Sequence, residues 1–238
     1  MRLLTQDEES QFYTDRNSKI FNQKVQIFCT GYKEVKDMEV QEYRGIRGLV
    51  CAEVLTDTTE SDGYTTSTPF EVAGVAELSR TTETSSESHY YDNVPAIVID
   101  STGSDEVTIT TSAIPFDVLA KITGQTYDEA KGMFVEGERA NKYYALGYIT
   151  KKTDGTEVFV WRLKGKFNIP DSTHATEDDG AEANGQEIVF TGINTTHKFT
   201  AIGNKTAKAV NVDTSVNKVA EATFFASVQT PDSVTATV

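Results

Sequence analysis

SAIPFDVLAKITGQTYDEAKGMFVEGERANKYYALGYITKKTDGTEVFVWRLKGKFNIP occupies residues 112–170 of a 238-residue chain. Pro115 suits the first turn of a helix, where its missing N–H has no intrahelical partner to lose. Phe116, Leu119 and Ala120 then recur at helical spacing, Ile122 closes the run, and Gly124 supplies the stop. Just upstream, 105–114 alternates: Val107, Ile109 and Thr111 fall on one side, Thr108 and Thr110 on the other, as in a half-buried strand. Downstream, 144–150 reads as a strand, and Asp154-Gly155 is a hairpin signal because Gly accepts positive φ without steric cost. The return strand, 156–167, carries Phe159, Trp161 and Leu163 on one face and Val158 and Val160 on the other, so both of its sides are expected to be covered.

The ordered set of residues in this stretch resembles the core of the major tail proteins of long-tailed, non-contractile bacteriophages. The matching positions are Pro115, Asp117, Val118, Ala120, Ile122 and Gly124, then Tyr144, Ala145, Leu146 and Gly147. Phe159, Val160, Trp161, Lys164, Gly165, Lys166, Phe167 and Pro170 follow. Upstream, 49–57, the phrase FEVAG at 70–74 and the Ser/Thr/Glu-rich run to Tyr91 are placed as in that family, so the likeness covers roughly 45–195. The family's aspartate-rich element appears here only as Tyr90-Tyr91-Asp92-Asn93, and the C-terminal part matches weakly.

Composition agrees with a β-rich chain. Hydrophobic residues make up 38%, low for a globular protein, which fits strands with broad solvated surfaces. One domain is the expectation from length, and the chain is long enough to bury a sizeable core. The net charge of −14 argues against binding nucleic-acid backbones. No apolar run has the length of a membrane span or the form of a signal peptide. Cys29 and Cys51 form no disulfide framework, which points to a reducing compartment.

The charge is unevenly spread. Residues 1–37 hold as many basic as acidic residues, so the remainder carries the whole −14. Lys33-Glu34-Val35 is encodable by a bacterial ribosome-binding sequence, with Lys36 and Asp37 as a spacer before Met38. We therefore expect 1–37 to be a translated leader or an arm, possible helix at 7–28 included. A single β-rich domain is expected over 38–230, with a frayed end at 231–238.

Further strands are expected at 49–56, 69–75, 77–84, 186–193 and 208–212. Another is weighed at 197–202, a continuation at 85–91, and a short helix within 216–228. The polar segments 57–68 and 171–185 are expected to be long loops, long enough for functional projections.

No catalytic pattern emerges. His89, His174 and His197 are isolated, and no zinc, nucleophile-elbow or phosphate-loop motif is present. The Asp57, Glu60, Asp62 group before Gly63 lacks the alternating ligands and closing Glu of a calcium loop. No enzyme, metal or cofactor is expected, and Trp161 with the tyrosines reads as core or interface.

The expected fold is mainly β, a β-sandwich or partly open barrel with one flanking α-helix. The resemblance implies a tail-tube subunit in the virion, made and assembled in the bacterial host cytoplasm. It implies hexameric rings stacked into a tube, with tape-measure and tail-terminator proteins as partners and DNA passing through without specific binding. The 57–68 loop, with Asp57, Glu60, Asp62 and Tyr64, is the candidate for reaching the next ring. The competing reading is a monomeric Ig-like binding module using loops 57–68 and 171–185.

Overall fold

The computed structural model of the chain describes residues 40–174 and 185–237. The leader-or-arm reading of 1–37 and most of the 171–185 loop lie outside the described residues. Glu42–Val238 forms one compact unit.

Twelve strands dominate it. In chain order these are β1 (Tyr43–Asp57), β2 (Tyr64–Thr66), β3 (Phe70–Glu71), β4 (Val75–Tyr91) and β5 (Val94–Thr111). Helix α1 (Phe116–Thr123) follows, then β6 (Thr126–Asp128), β7 (Met133–Val135), β8 (Tyr143–Lys152) and β9 (Glu157–Phe167). The last elements are β10 (Asp171–Ser172), β11 (Gln186–Gly192), a 3-10 turn (Thr200–Ile202), β12 (Ala209–Asp213) and α2 (Glu221–Phe224). Among the described residues ten strands join one antiparallel sheet: seven follow the order β2-β1-β8-β9-β11-β5-β4, β3 pairs with β1, β10 with β11 and β12 with β9, while β6 and β7 form a separate small hairpin. On its outer side β9 pairs first with β12, over Val158–Arg162, and then with β11, over Gly165–Phe167.

This forking lets the sheet curl. Val107, Ile109, Ile188 and Phe190 from β5 and β11 share one buried cluster with Leu49, Cys51, Leu146, Val158 and Val160 from β1, β8 and β9. β1, which β2 and β3 flank over only part of its length, comes into contact with the edge strand β4, so the sheet is a partly open barrel around that cluster. Leu119 and Ile122 of α1 cap it from one side. The opposite faces of β8 and β9 bury Ala145, Ile149, Phe159, Trp161 and Leu163 beneath the C-terminal segment, which contributes Phe199, Val212, Phe224 and Val228. Strand β9 is therefore covered on both sides, as its two-faced apolar pattern predicts. The architecture is mainly β with one flanking helix.

Local physics explains the family-like positions. Pro115, with extended backbone (ψ 141°), caps α1, and Gly124 (φ 73°) ends it in the left-handed conformation. The Gln125 N–H reaches back to the Ala120 carbonyl. A Cβ on Gly124 would sit 2.6 Å from the Ala140 carbonyl oxygen, so the position demands glycine for two reasons. Gly147 and Gly165 let neighbours approach: a side chain on the first would meet Trp161 and Val50, and on the second the Phe190 ring. Phe167 packs against that ring at 5.1 Å. Trp161 is fully buried and donates its indole N–H to the Phe224 carbonyl at 3.3 Å. Val118 packs on the first cluster, and Pro170 lies in the link between β9, which ends at Phe167, and β10, which begins at Asp171.

Several expectations change. The strand expected at 69–75 shrinks to Phe70–Glu71, and 197–202 becomes the 3-10 turn. The helix expected within 216–228 is one turn, Glu221–Phe224, because that segment is held by Phe224 and Val228 packing and not by helix periodicity. The residues after Pro231 carry defined bonds: Asp232 accepts the N–H groups of Thr200 and Ala201, and the Thr237 carbonyl accepts the Lys218 N–H.

Candidate assembly surface

The register across the sheet defines its two ends. Asp105 pairs with Gly192, Gly192 with Gly165, Gly165 with Tyr144, and Tyr144 with Glu53. Past Asp105, β4 and β5 continue as a pair with no third strand beside them among the described residues, from Thr84 opposite Thr102 to Tyr91 opposite Val94. At the rise of an antiparallel strand this exposed arm is about 25–30 Å long. Asp92 (φ 50°) and Asn93 (φ 63°) turn it, both in the left-handed region, as a two-residue type I′ hairpin requires. Asp and Asn are the non-glycine residues that tolerate this conformation best.

The arm's composition is unusual for an exposed hairpin. Val94, Ile97, Val98 and Ile99 are half or more exposed, and Tyr90 and Tyr91 are similarly open. Successive strand residues point to opposite faces, so the run at 97–99 makes both faces of the arm apolar. Between 82 and 104 the charged residues are Glu83, Glu87, Asp92 and Asp100, with no Lys or Arg. The Ser85 and Ser101 hydroxyls bond across the strands at 2.7 Å. A two-stranded ribbon is marginal by itself, and an apolar one with free edges pairs readily with other chains.

The root of the arm is clamped. Arg162 Nη1 donates to Asp105 Oδ2 at 2.6 Å, with both side chains 4% exposed. Lys208 Nζ reaches Asp105 Oδ1 at 3.2 Å and also donates to the Gly103 carbonyl, while Arg80 stands 3.8 Å away. Burial pushes the Asp105 carboxyl up, but hydrogen bonds from Lys208 and Thr82 and the nearby Arg162 and Lys208 charges bring it below the usual carboxylate range.

The 57–68 segment differs from the projecting loop expected of it. Residues 58–63 make a tight turn, with the Thr58 N–H bonded to the Gly63 carbonyl, and β2 folds back on β1. Asp57 points inward. Its carboxylate takes Lys164 Nζ at 2.5 Å and the N–H groups of Thr196 and His197 at 2.8 Å. Burial raises that carboxyl, and these donors outweigh burial and lower it overall. Tyr64 donates its hydroxyl to the Leu163 carbonyl at 2.5 Å, and burial holds its phenol well above its ordinary value. Of the four candidate residues, only Glu60 and Asp62 remain exposed on the turn. The arm is not legible as an element from sequence: its Ser/Thr/Glu strand shows no apolar alternation, and its partner run VPAIVID follows a turn without glycine.

The histidines stay apart: His89 lies on the arm, His174 is exposed beyond β10, and His197 packs edge-on against Phe199. Among the described residues no three His, Cys, Asp or Glu side chains are grouped to hold a metal, and no helix is long and apolar enough to cross a membrane.

A family model described as phage tail tube protein matches residues 57–229 of the 238. No curated protein matches the chain.

Proposed function

The chain belongs to the phage tail tube protein family, a structural family whose members assemble into the tube of the virion tail, and from that premise we propose how this subunit builds it. Subunits form six-membered rings, and the rings stack. Within a ring, the β4 edge of one sheet lies beside the β1–β2 edge of the next, so closure removes both edges. The β4–β5 arm reaches the adjacent ring, a role its length and two apolar faces suit better than the short turn at 58–63. Glu60 and Asp62 stay exposed on that turn and contribute at the margin. Residues 1–37 are a translated leader or an arm.

The tube conducts DNA at ejection. A net charge of −14 favours an acidic channel from which phosphates are repelled, so the genome slides without being bound. Tape-measure and tail-terminator proteins complete the assembly in the bacterial host cytoplasm. The observation that carries the reading is the arm: about a dozen and a half residues whose apolar side chains nothing among the described residues covers. Negative-stain electron microscopy of the purified protein tests it. Rings or tubes are expected; a preparation of only small, monomer-sized particles at every concentration would refute it.

A further inference from the structure

Strand register fixes which end of the sheet faces away from the arm. From Asp105 the chain of β5 runs on to Thr111, opposite Gln186 of β11. Strand β9 is antiparallel to β11 and so runs the same way as β5, finishing with Lys166 opposite Thr191 and Phe167 opposite Phe190. Strand β8 is antiparallel to β9 and enters with Tyr144 opposite Gly165, so the link 139–142 that leads into it lies at this far end as well. Helix α1 follows β5 there.

A cleft of about 230 Å³ opens at this end, between Thr123 of α1, Arg139, Asn141 and Lys142 of the link, and Lys166 and Phe167 of β9. Its lining holds three cations and no carboxylate. Arg139 is fixed by carbonyls: its Nε donates to Thr123 at 2.8 Å and its Nη2 to Phe167 at 2.6 Å. Lys166 Nζ donates to Asn141 Oδ1 and stands 4.6 Å from the centre of the Tyr143 ring. Among the described residues only Lys142 of the three pairs with a carboxylate, Glu53 at 3.0 Å. Arg139 and Lys166 are therefore held in place by neutral partners that leave their charge uncompensated, as a receptor for an anionic group requires.

We infer that this cleft receives the acidic turn of the arm, Asp92 foremost, from a second copy of this chain. The inference rests on the tube reading. Stacked identical rings meet head to tail, which brings the arm end of one subunit toward the far end of another. Charge selects the partner. Between 82 and 104 the arm carries four carboxylates and no Lys or Arg. Asp92 is exposed at the turn itself, where its left-handed backbone (φ 50°) closes the hairpin. Paired with Arg139 and Lys166, it fixes which way up the rings stack, because two like ends offer no such match.

Carbodiimide treatment of assembled tubes tests the seat on the unmodified chain, since the reagent joins a carboxylate to an amine in direct contact with it. Mass spectrometry is expected to find Asp92 linked to Lys166 or Lys142, residues from opposite ends of the sheet and hence from two subunits. Lys166→Glu is expected to abolish tubes and Asp92→Lys in the same chain to restore them, both with the parent's circular dichroism. Lys166 linked instead to the acids of 175–184 would overturn the seat and leave the tube reading standing. So would intact tubes in which neither lysine is linked to the arm, tubes of parental yield from Lys166→Glu, or a double variant no better than that single one. Failure of the unmodified protein to form rings or tubes would sink both.

Discussion

Asp105 shows how much one buried carboxylate carries. It receives Arg162, Lys208 and Arg80 at the point where the arm leaves the body. Arg162 is 97% buried as a residue and its Nε has no partner, so its charge is balanced mainly through Asp105. Asp105→Asn leaves that guanidinium uncompensated, at a cost of about 3–5 kcal/mol in chemical denaturation. Asp57 and Asp105 both titrate below the ordinary value of 3.8 in the folded state. Their stabilisation is therefore full above 3.8 and lost as pH falls through the lower, folded values. Melting temperature is expected to hold from neutral pH to about 5 and to fall below about 4, with a flatter acid limb in Asp105→Asn. A midpoint that rose on acidification would contradict this. Gly165→Ala drives a methyl into Phe190 and the Thr191 carbonyl, and overpacking of this kind costs about 1–3 kcal/mol by the same denaturation measurement.

The elements divide by how local their causes are. Helix α1 is legible because Pro115, the apolar spacing and Gly124 all act within ten residues. Strands β8 and β9 are legible because burial on both faces leaves near-continuous apolar runs around an Asp-Gly turn. The arm is hard to read from sequence for the converse reason: neither of its faces is buried by the described residues, so no alternation marks it. Its β4 half is Ser, Thr and Glu, and its turn is Asp-Asn without glycine. The continuous run VPAIVID was the available signal, since β-branched residues on both faces of an exposed strand imply cover from elsewhere. The 57–68 segment failed in the other direction. Its polar composition reads as a projecting loop, yet Asp57 and Tyr64 are polar because they tie the turn to Lys164, Thr196 and Leu163. The C-terminal segment was poorly resolved by pattern because its short pieces are shaped by the β8–β9 face they cover.

For the molecule as a whole, these parts compose a polar building block. In the proposed assembly a partly open barrel supplies rigidity, the sheet edges supply lateral contacts and the arm supplies the axial one. Such a block closes laterally and extends axially, which is what a tube demands. The most direct check compares the full chain with a variant in which 85–101 is replaced by Asn-Gly, using sedimentation and electron microscopy side by side. The cut falls beyond the clamp at Asp105, so the variant is expected to keep the parent's circular dichroism and thermal midpoint. The full chain is expected to form tubes and the variant to stop at rings or single subunits. Tubes of parental length and abundance from the folded variant would contradict the assembly proposed for this chain.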